Sequence, residues 1–289
     1  MSGPVLVLGA SGYTGSAVTR ELVKRGGEVR GLIRNAGNTD AVKANGVSEV
    51  IVGDFLELET VELAMKGADG VWFIGPRFMA EEETLGVSMV DAAARAGVRK
   101  FVLSGVYHPV IKDLVNHQVK RTIEDHIYKS DLDFTVLQPS RYMHGLMLST
   151  WDSMIKDGVI ADAFNPDQRF AYVDYNDVAE VAAIAFTDDR LARGTFELSS
   201  QGEYTGHELA ESLGAVLGKK LRAEQVPLLE YKPAGPLLKN PYSADGFKRL
   251  RAYYDQYGFH GGNALVLEAI LGRKATSFPE FVERFSREG

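Results

Sequence analysis

The sequence predicts an open, doubly wound α/β fold with a mostly parallel sheet. Short β-branched runs alternate with helical stretches through the first half of the chain. Such alternation places parallel strands on right-handed crossovers. A glycine-rich segment, GASGYTG at 9–15, joins the first apolar run to the first helical stretch. At 289 residues the chain can form one large α/β domain, or such a domain with a smaller lobe.

The strand candidates, in order, are Val5–Leu8, Val29–Ile33, Glu49–Val52, Gly70–Ile74, Lys100–Ser104 and residues 134–138. Two of the intervening helices show their core face directly. Leu85, Met89 and Ala93 recur at spacing four, as do Val115, Val119, Ile123 and Ile127. The second half is less regular. Residues 171–173 and 195–198 read as short strands, and 176–186 and 207–217 as helices, the latter ended by Gly218. A loop is expected over 227–241, where Pro227, Pro233, Pro236 and Pro241 cluster, and it is a candidate cover for the site. Two closing helices are expected near 243–257 and 263–271. The expected division is a nucleotide-binding core over 1–150 and a mixed region over 151–289. The latter returns to the sheet at about 171–198 and builds a smaller substrate-binding lobe.

In sheets of this kind ligands sit beyond the carboxyl ends of the strands. Gly9 suits the tight turn out of the first strand, Gly12 a close approach of backbone to a pyrophosphate, and Gly15 close packing of helix on sheet. The amides of Ser11, Gly12, Tyr13 and Thr14, with the helix dipole, favour an anion. A dinucleotide is the expected ligand. An acid usually ends the second strand where NAD is bound. Arg34 and Asn35 stand there instead, and a planar guanidinium suits a 2′-phosphate, so NADP(H) is expected. Arg30 is a weaker candidate for that role. Asp54, after the third strand, suits either the adenine amino group or a helix cap. Gly75 and Pro76, after the fourth, must turn closely around the middle of the cofactor.

Composition excludes several classes. There is no cysteine, hence no disulfide, cysteine zinc site, iron–sulfur cluster or thiol nucleophile. Six histidines occur without metal-site spacing, and no metal is expected. A formal net charge of −7 argues against nucleic acid as the partner. No run approaches the ~20 apolar residues of a membrane helix. The densest N-terminal apolar run is Val5–Leu8, with no basic segment before it, so a soluble cytoplasmic protein is expected. A monomer or a homodimer is expected.

Several segments together resemble the NmrA-like family of atypical short-chain dehydrogenase/reductases. They are GASGYTG at 9–15, GDFLELETVELAMKGADGVWFI at 53–74, HQVKRTIEDHIYKSDLDFTVLQPSRYMH at 117–144, YVDYNDVAEVAA at 172–183 and LGRKATSFPEFV at 271–282. The resemblance implies an NADP-binding Rossmann fold with a small C-terminal lobe. It also implies one of two roles, a reductase of quinones, carbonyls and related electrophiles or a redox sensor acting through a protein partner.

Short-chain reductases use Ser, Tyr and Lys, with Tyr and Lys one helical turn apart so that both face one site. By resemblance Lys120 is the site lysine and Ser104, ending the fifth strand, the serine. Asn116 stands where the tyrosine would be. The bland alternative for Lys120 is an exposed helix pair with Glu124. Candidates for the missing proton donor are Tyr107, His108, His117, Tyr142 and Lys120 itself. Pro139, Ser140 and Tyr142 resemble the family loop that borders the nicotinamide. Met147, Trp151, Phe164 and Tyr172 mark the region of an apolar substrate pocket. The expectation is an NADPH-dependent reductase of a small or medium apolar carbonyl, quinone or related electrophile. The alternative is a non-enzymatic NADP(H) sensor regulating a partner protein.

Overall fold

A computed structural model describes residues 3–231 and 234–288. Pro233 therefore lies outside the described residues. The core is a seven-stranded sheet in the order β3–β2–β1–β4–β5–β6–β10, with every neighbouring pair parallel. Its strands are β1 (Val5–Leu8), β2 (Val29–Ile33), β3 (Glu49–Val52), β4 (Gly70–Ile74), β5 (Lys100–Ser104), β6 (Asp133–Pro139) and β10 (Gly194–Leu198). The strand order reverses between β1 and β4, which opens a crevice above their carboxyl ends.

Both faces of the sheet are covered, which is why its central strands read as unbroken apolar runs. Side chains alternate between the two layers. Val5 and Val7 face α1 (Tyr13–Lys24), α7 (Tyr175–Thr187) and α10 (Leu265–Leu271). Leu6 and Leu8 face α3 (Leu58–Met65), α4 (Glu82–Arg95) and α5 (Val115–Tyr128). Val119, Ile123 and Ile127 of the spacing-four stripe are buried in that second layer. A Cβ on Gly86 would fall 2.2 Å from the Ile123 side chain, so glycine sets the approach of α4 to α5.

Leaving β6, the chain builds a third core from the C-terminal half. It contains β7 (Arg141–Tyr142), α6 (Met143–Asp157), β8 (Val159–Asp162), β9 (Phe170–Val173), β11 (Glu203–Tyr204), α8 (Gly206–Leu217), β12 (Arg222–Gln225), α9 (Pro241–Tyr257) and α11 (Phe278–Glu288). Residues 171–173 form a strand as expected, but outside the main sheet. They belong to β9, which pairs with β7 and β11. The return to the main sheet is made by β10 alone. Position 150 falls inside α6. Among the described residues no helix is long and apolar enough to cross a membrane. The short helix α2 (Thr39–Ala44) completes the β2–β3 crossover.

Candidate functional site

The chain leaves β1 through Gly9 at φ +72°, a left-handed turn that glycine adopts without strain. The Gly9 and Ala10 amides bond to the Leu32 carbonyl, and the Gly12 amide to the Gly9 carbonyl at 2.9 Å. A Cβ on Gly15 would lie 2.2 Å from the Gly9 oxygen, so the turn and the helix can meet only at glycine. Gly12 is the N-cap of α1 and offers no side chain to the first-turn amides. Those amides are left to solvent or a bound anion. Ser11, Gly12 and Tyr13 are exposed and border a cavity of about 660 Å³, whereas Thr14 borders a different one, described below.

Arg34 is exposed beyond β2 and has no ion-pair partner among the described residues. Asn35 accepts a bond from the Gly37 amide at 2.9 Å and so caps the turn that follows. Arg30 is already engaged. Its guanidinium meets Glu49 at 2.5 Å and the carbonyls of Ala64 and Lys66 at 2.7 Å. Asp54 is half-buried and accepts from the Leu56 amide at 3.0 Å. It does not cap α3, whose N-cap is Glu57.

The second cavity, about 340 Å³, opens at the carboxyl ends of β4, β5 and β6. Its floor is Gly75, Ser104, Gly105, Pro139 and Ser140, and Lys120 and Asn116 reach it from α5. Pro76 lies between the lining residues Gly75 and Arg77. The opposite wall comes from the C-terminal half, through Phe164, Tyr231, Phe247, Tyr254 and Phe259. Tyr231 places the proline-rich segment against the cavity. Asn116 Oδ1 and Lys120 Nζ are buried here without a hydrogen-bond partner among the described residues, and Ser104 Oγ and Tyr142 OH are buried with no aligned partner beyond each other. Orphaned groups of this kind need an explanation in a native fold, and a ligand or ordered water supplies one. Lys120 Nζ stands 2.8 Å from Glu82 Oε1 as an ion pair without hydrogen-bond alignment. Burial pushes the Tyr142 phenol well above its ordinary range, with Ser104 pulling the other way. It therefore stays protonated and able to donate.

Tyr107 is elsewhere. It is 3% exposed, its ring packs on His108 and Phe259, and it does not line the cavity. Gly261 makes room for it, since a Cβ there would lie 2.7 Å from its ring. His108 bonds to Glu197 and to the His260 carbonyl, both at 2.9 Å. His117 is fully buried, with Nδ1 donating to the His108 carbonyl at 2.9 Å and Nε2 3.4 Å from Tyr254 OH. Burial drives it down to about 4, so it is neutral at physiological pH. Of the apolar candidates, Phe164 lines the cavity. Met147 and Tyr172 are core, and Trp151 packs on Phe285.

Nothing in the sequence singles out Glu82. It sits in an acidic run, and Glu81 and Glu83 beside it are exposed. Arg141 was legible only as part of a loop. Its guanidinium pairs with Asp162 at 2.7 Å and lies over the Phe164 and Phe170 rings.

The sheet order, the glycine turn and a cavity at the strand ends define a Rossmann-type α/β protein. The family model described as the NmrA-like family matches residues 1–283, and the chain belongs to that family. It is 26% identical over 285 residues to an NAD(P)H azoreductase of Xenophilus azovorans, covering 96% of each chain. Its fold matches an NADPH-dependent quinone oxidoreductase of Escherichia coli complexed with NADPH, with TM-score 0.80, 20% identity, and 98% of this chain and 99% of that one covered. It also matches NmrA, a negative transcriptional regulator in complex with NAD, with TM-score 0.77, 15% identity, and 100% and 97% covered.

Proposed function

We propose that this protein is an NADPH-dependent reductase of a small or medium apolar carbonyl, quinone or related electrophile. The observation that carries the reading is the aromatic-walled cavity at the strand ends, lined by the polar side chains of Ser104, Asn116, Lys120 and Tyr142. The azoreductase relative, alike over nearly its whole length, supports a reductase. A sensor needs no such cavity, which is why the regulatory reading ranks second.

The residues fit the cofactor. The first-turn amides beyond Gly9–Gly15 suit a pyrophosphate, with Ser11, Tyr13 and Thr14 around it. Arg34, unpaired and exposed, suits a 2′-phosphate, with Asn35 and Asp54 toward the adenosine end. Gly75, Pro139 and Ser140 line the cavity where the nicotinamide end would lie, with Pro76 next to Gly75 in the chain, and Lys120 would hold the ribose there. When bound, NADPH supplies a hydride. Ser104 and Tyr142 orient and polarise the substrate oxygen, and a proton comes from Lys120 Nζ or Tyr142 OH. The C-terminal half acts as the substrate lobe through its aromatic wall.

The test is NADPH oxidation with a panel of quinones, azo dyes and carbonyls, by wild type and Lys120→Ala. Turnover in the variant should fall by roughly 100-fold or more, with NADPH affinity changed far less. Near-normal turnover in the variant would remove Lys120 from the mechanism. Tight NADPH binding without turnover of any acceptor would favour the sensor and a partner protein.

A further inference from the structure

Behind the cavity floor three charged side chains are buried together. Glu82 comes from the first turn of α4, and Lys120 and Glu124 stand one turn apart on α5. They are 1%, 7% and 5% exposed. Lys120 Nζ meets Glu82 Oε1 at 2.8 Å. Glu124 Oε2 accepts from the Gln138 amide at 2.8 Å, and its Oε1 is buried without a hydrogen-bond partner among the described residues. Two cavity-lining glycines give these groups access to the strand ends. A Cβ on Gly75 would lie 2.8 Å from Lys120 Nζ and 3.1 Å from Glu82 Oε1. A Cβ on Gly105 would lie 2.6 Å from Glu124 Oε1. The exposed-face reading of the Lys120–Glu124 spacing therefore fails, because both residues point inward.

One ammonium facing two buried carboxyls leaves a surplus negative charge, which a buried site tolerates poorly. A proton on one carboxyl relieves it. Glu82 already holds the ion pair, which leaves Glu124 to carry the proton.

We propose that Glu82 and Glu124 serve Lys120: Glu82 fixes the ammonium at the cavity, and Glu124 restores the proton that Lys120 gives to the reduced substrate. The proposal rests on the reductase reading, with NADPH as the reductant. A two-electron reduction by hydride needs one proton. A Lys120 N–H bond breaks as that proton bonds to the substrate heteroatom, leaving a neutral amine. No ion pair joins Glu124 to Nζ among the described residues, so one water bridges the two: it gives a proton to Nζ as a new N–H bond forms and takes the proton released as the Glu124 O–H bond breaks. The Glu124 carboxylate is reprotonated from water, so each turnover consumes one solvent proton.

Burial pushes Glu124 up to about 7, with Gln138 and Lys120 acting against it, so it exchanges a proton readily near neutrality. The groups that act on it are Gln138 on β6, which donates to it, and Lys120 on α5, with the Gly105 backbone packed against its Oε1. Tyr242 of α9 is within electrostatic reach of Glu82.

Two measurements on the full chain test this. Infrared titration without cofactor should show a protonated-carboxyl band lost with a midpoint near pH 7, present in wild type and absent in Glu124→Gln. In turnover, wild-type kcat should fall as pH rises through about 7. Glu124→Gln should lower kcat at least tenfold and abolish that dependence, and Glu124→Asp should restore part of it. Glu82→Gln should lower kcat and move the Glu124 midpoint to lower pH, because one carboxylate no longer competes for the ammonium. A Glu124→Gln enzyme with an unchanged pH profile, or an infrared band that survives the substitution, overturns the relay alone. A wild type that turns over no acceptor overturns the reductase reading, and the relay with it.

Discussion

Lys120 can be read two ways from its neighbours, and burial separates them. Helical spacing pairs it with Glu124, but its head meets Glu82 instead, on a face that looks inward. Ser104 and Lys120 were legible because strand-end position and a long matching segment fix both. Tyr107 was not, because nothing local says which way a side chain turns just beyond a strand. His108, at φ +54°, redirects the chain there and leaves the Tyr107 ring in the core of the C-terminal half. Arg34 is the residue on which cofactor choice depends. Its exposed guanidinium, without an ion-pair partner among the described residues, breaks no ion pair when it turns toward a phosphate. Arg34→Ala should weaken NADPH binding by about tenfold or more, roughly 1.4 kcal/mol, while NADH binding stays unchanged. Calorimetric titration of both nucleotides checks this, and an equal loss for both would place Arg34 away from the 2′-phosphate.

At the scale of elements, legibility follows length and burial. The six strand candidates of the first half are all present; five are buried on both faces and write themselves as apolar runs, and the edge strand β3, half exposed, is marked by its β-branched Val50–Val52. Strands β7 and β11, two residues each, carry no periodicity to read. The helix α6 escaped because buried Met143, Leu146, Met147 and Met154 alternate with Gly145, Ser149 and Thr150, which dilutes its apolar stripe. The helix α8 announced itself better. Thr205 accepts from the Glu208 amide at 3.1 Å, and Glu208 accepts from the Thr205 amide at 2.9 Å. Gly218 closes its far end at φ +63°. This reciprocal cap satisfies two backbone donors that the helix itself cannot. Thr205→Ala should cost about 1 kcal/mol, a fall in Tm of roughly 1.5–2 °C for a chain of this size. Scanning calorimetry reads it directly. No change would mean that water replaces the hydroxyl at the helix end.

At the scale of the molecule, three buried titratable groups set opposing pH limits, and one of them, His117, joins the two halves. His117 on α5 meets Tyr254 on α9, and His144 on α6 stacks on Tyr175 and packs against Phe281 of α11. Burial lowers both imidazoles to about 4, with Arg284 and Arg20 adding to the effect at His144. A depressed histidine contributes stability above its unfolded value, ~6.5. That contribution is lost as pH falls toward 4, by up to about 3 kcal/mol for each imidazole. Glu124 works the other way. Its raised value gives a contribution of similar size, complete below pH ~4.5 and lost as pH rises through about 7. Acidification from pH 7 to 4 therefore removes two contributions and adds one, and the fold should weaken by about 3 kcal/mol net. Urea midpoints across this range should show three distinct profiles. The wild type should decline moderately toward acid. His144→Phe, which keeps an aromatic ring against Tyr175 and Phe281, should decline less. Glu124→Gln should decline more steeply, because it lacks the compensating protonation. An unchanged acid limb in His144→Phe would mean that this imidazole takes up its proton inside the fold without penalty. The junction between α6 and α11 would then tolerate charge that its aromatic surroundings argue against.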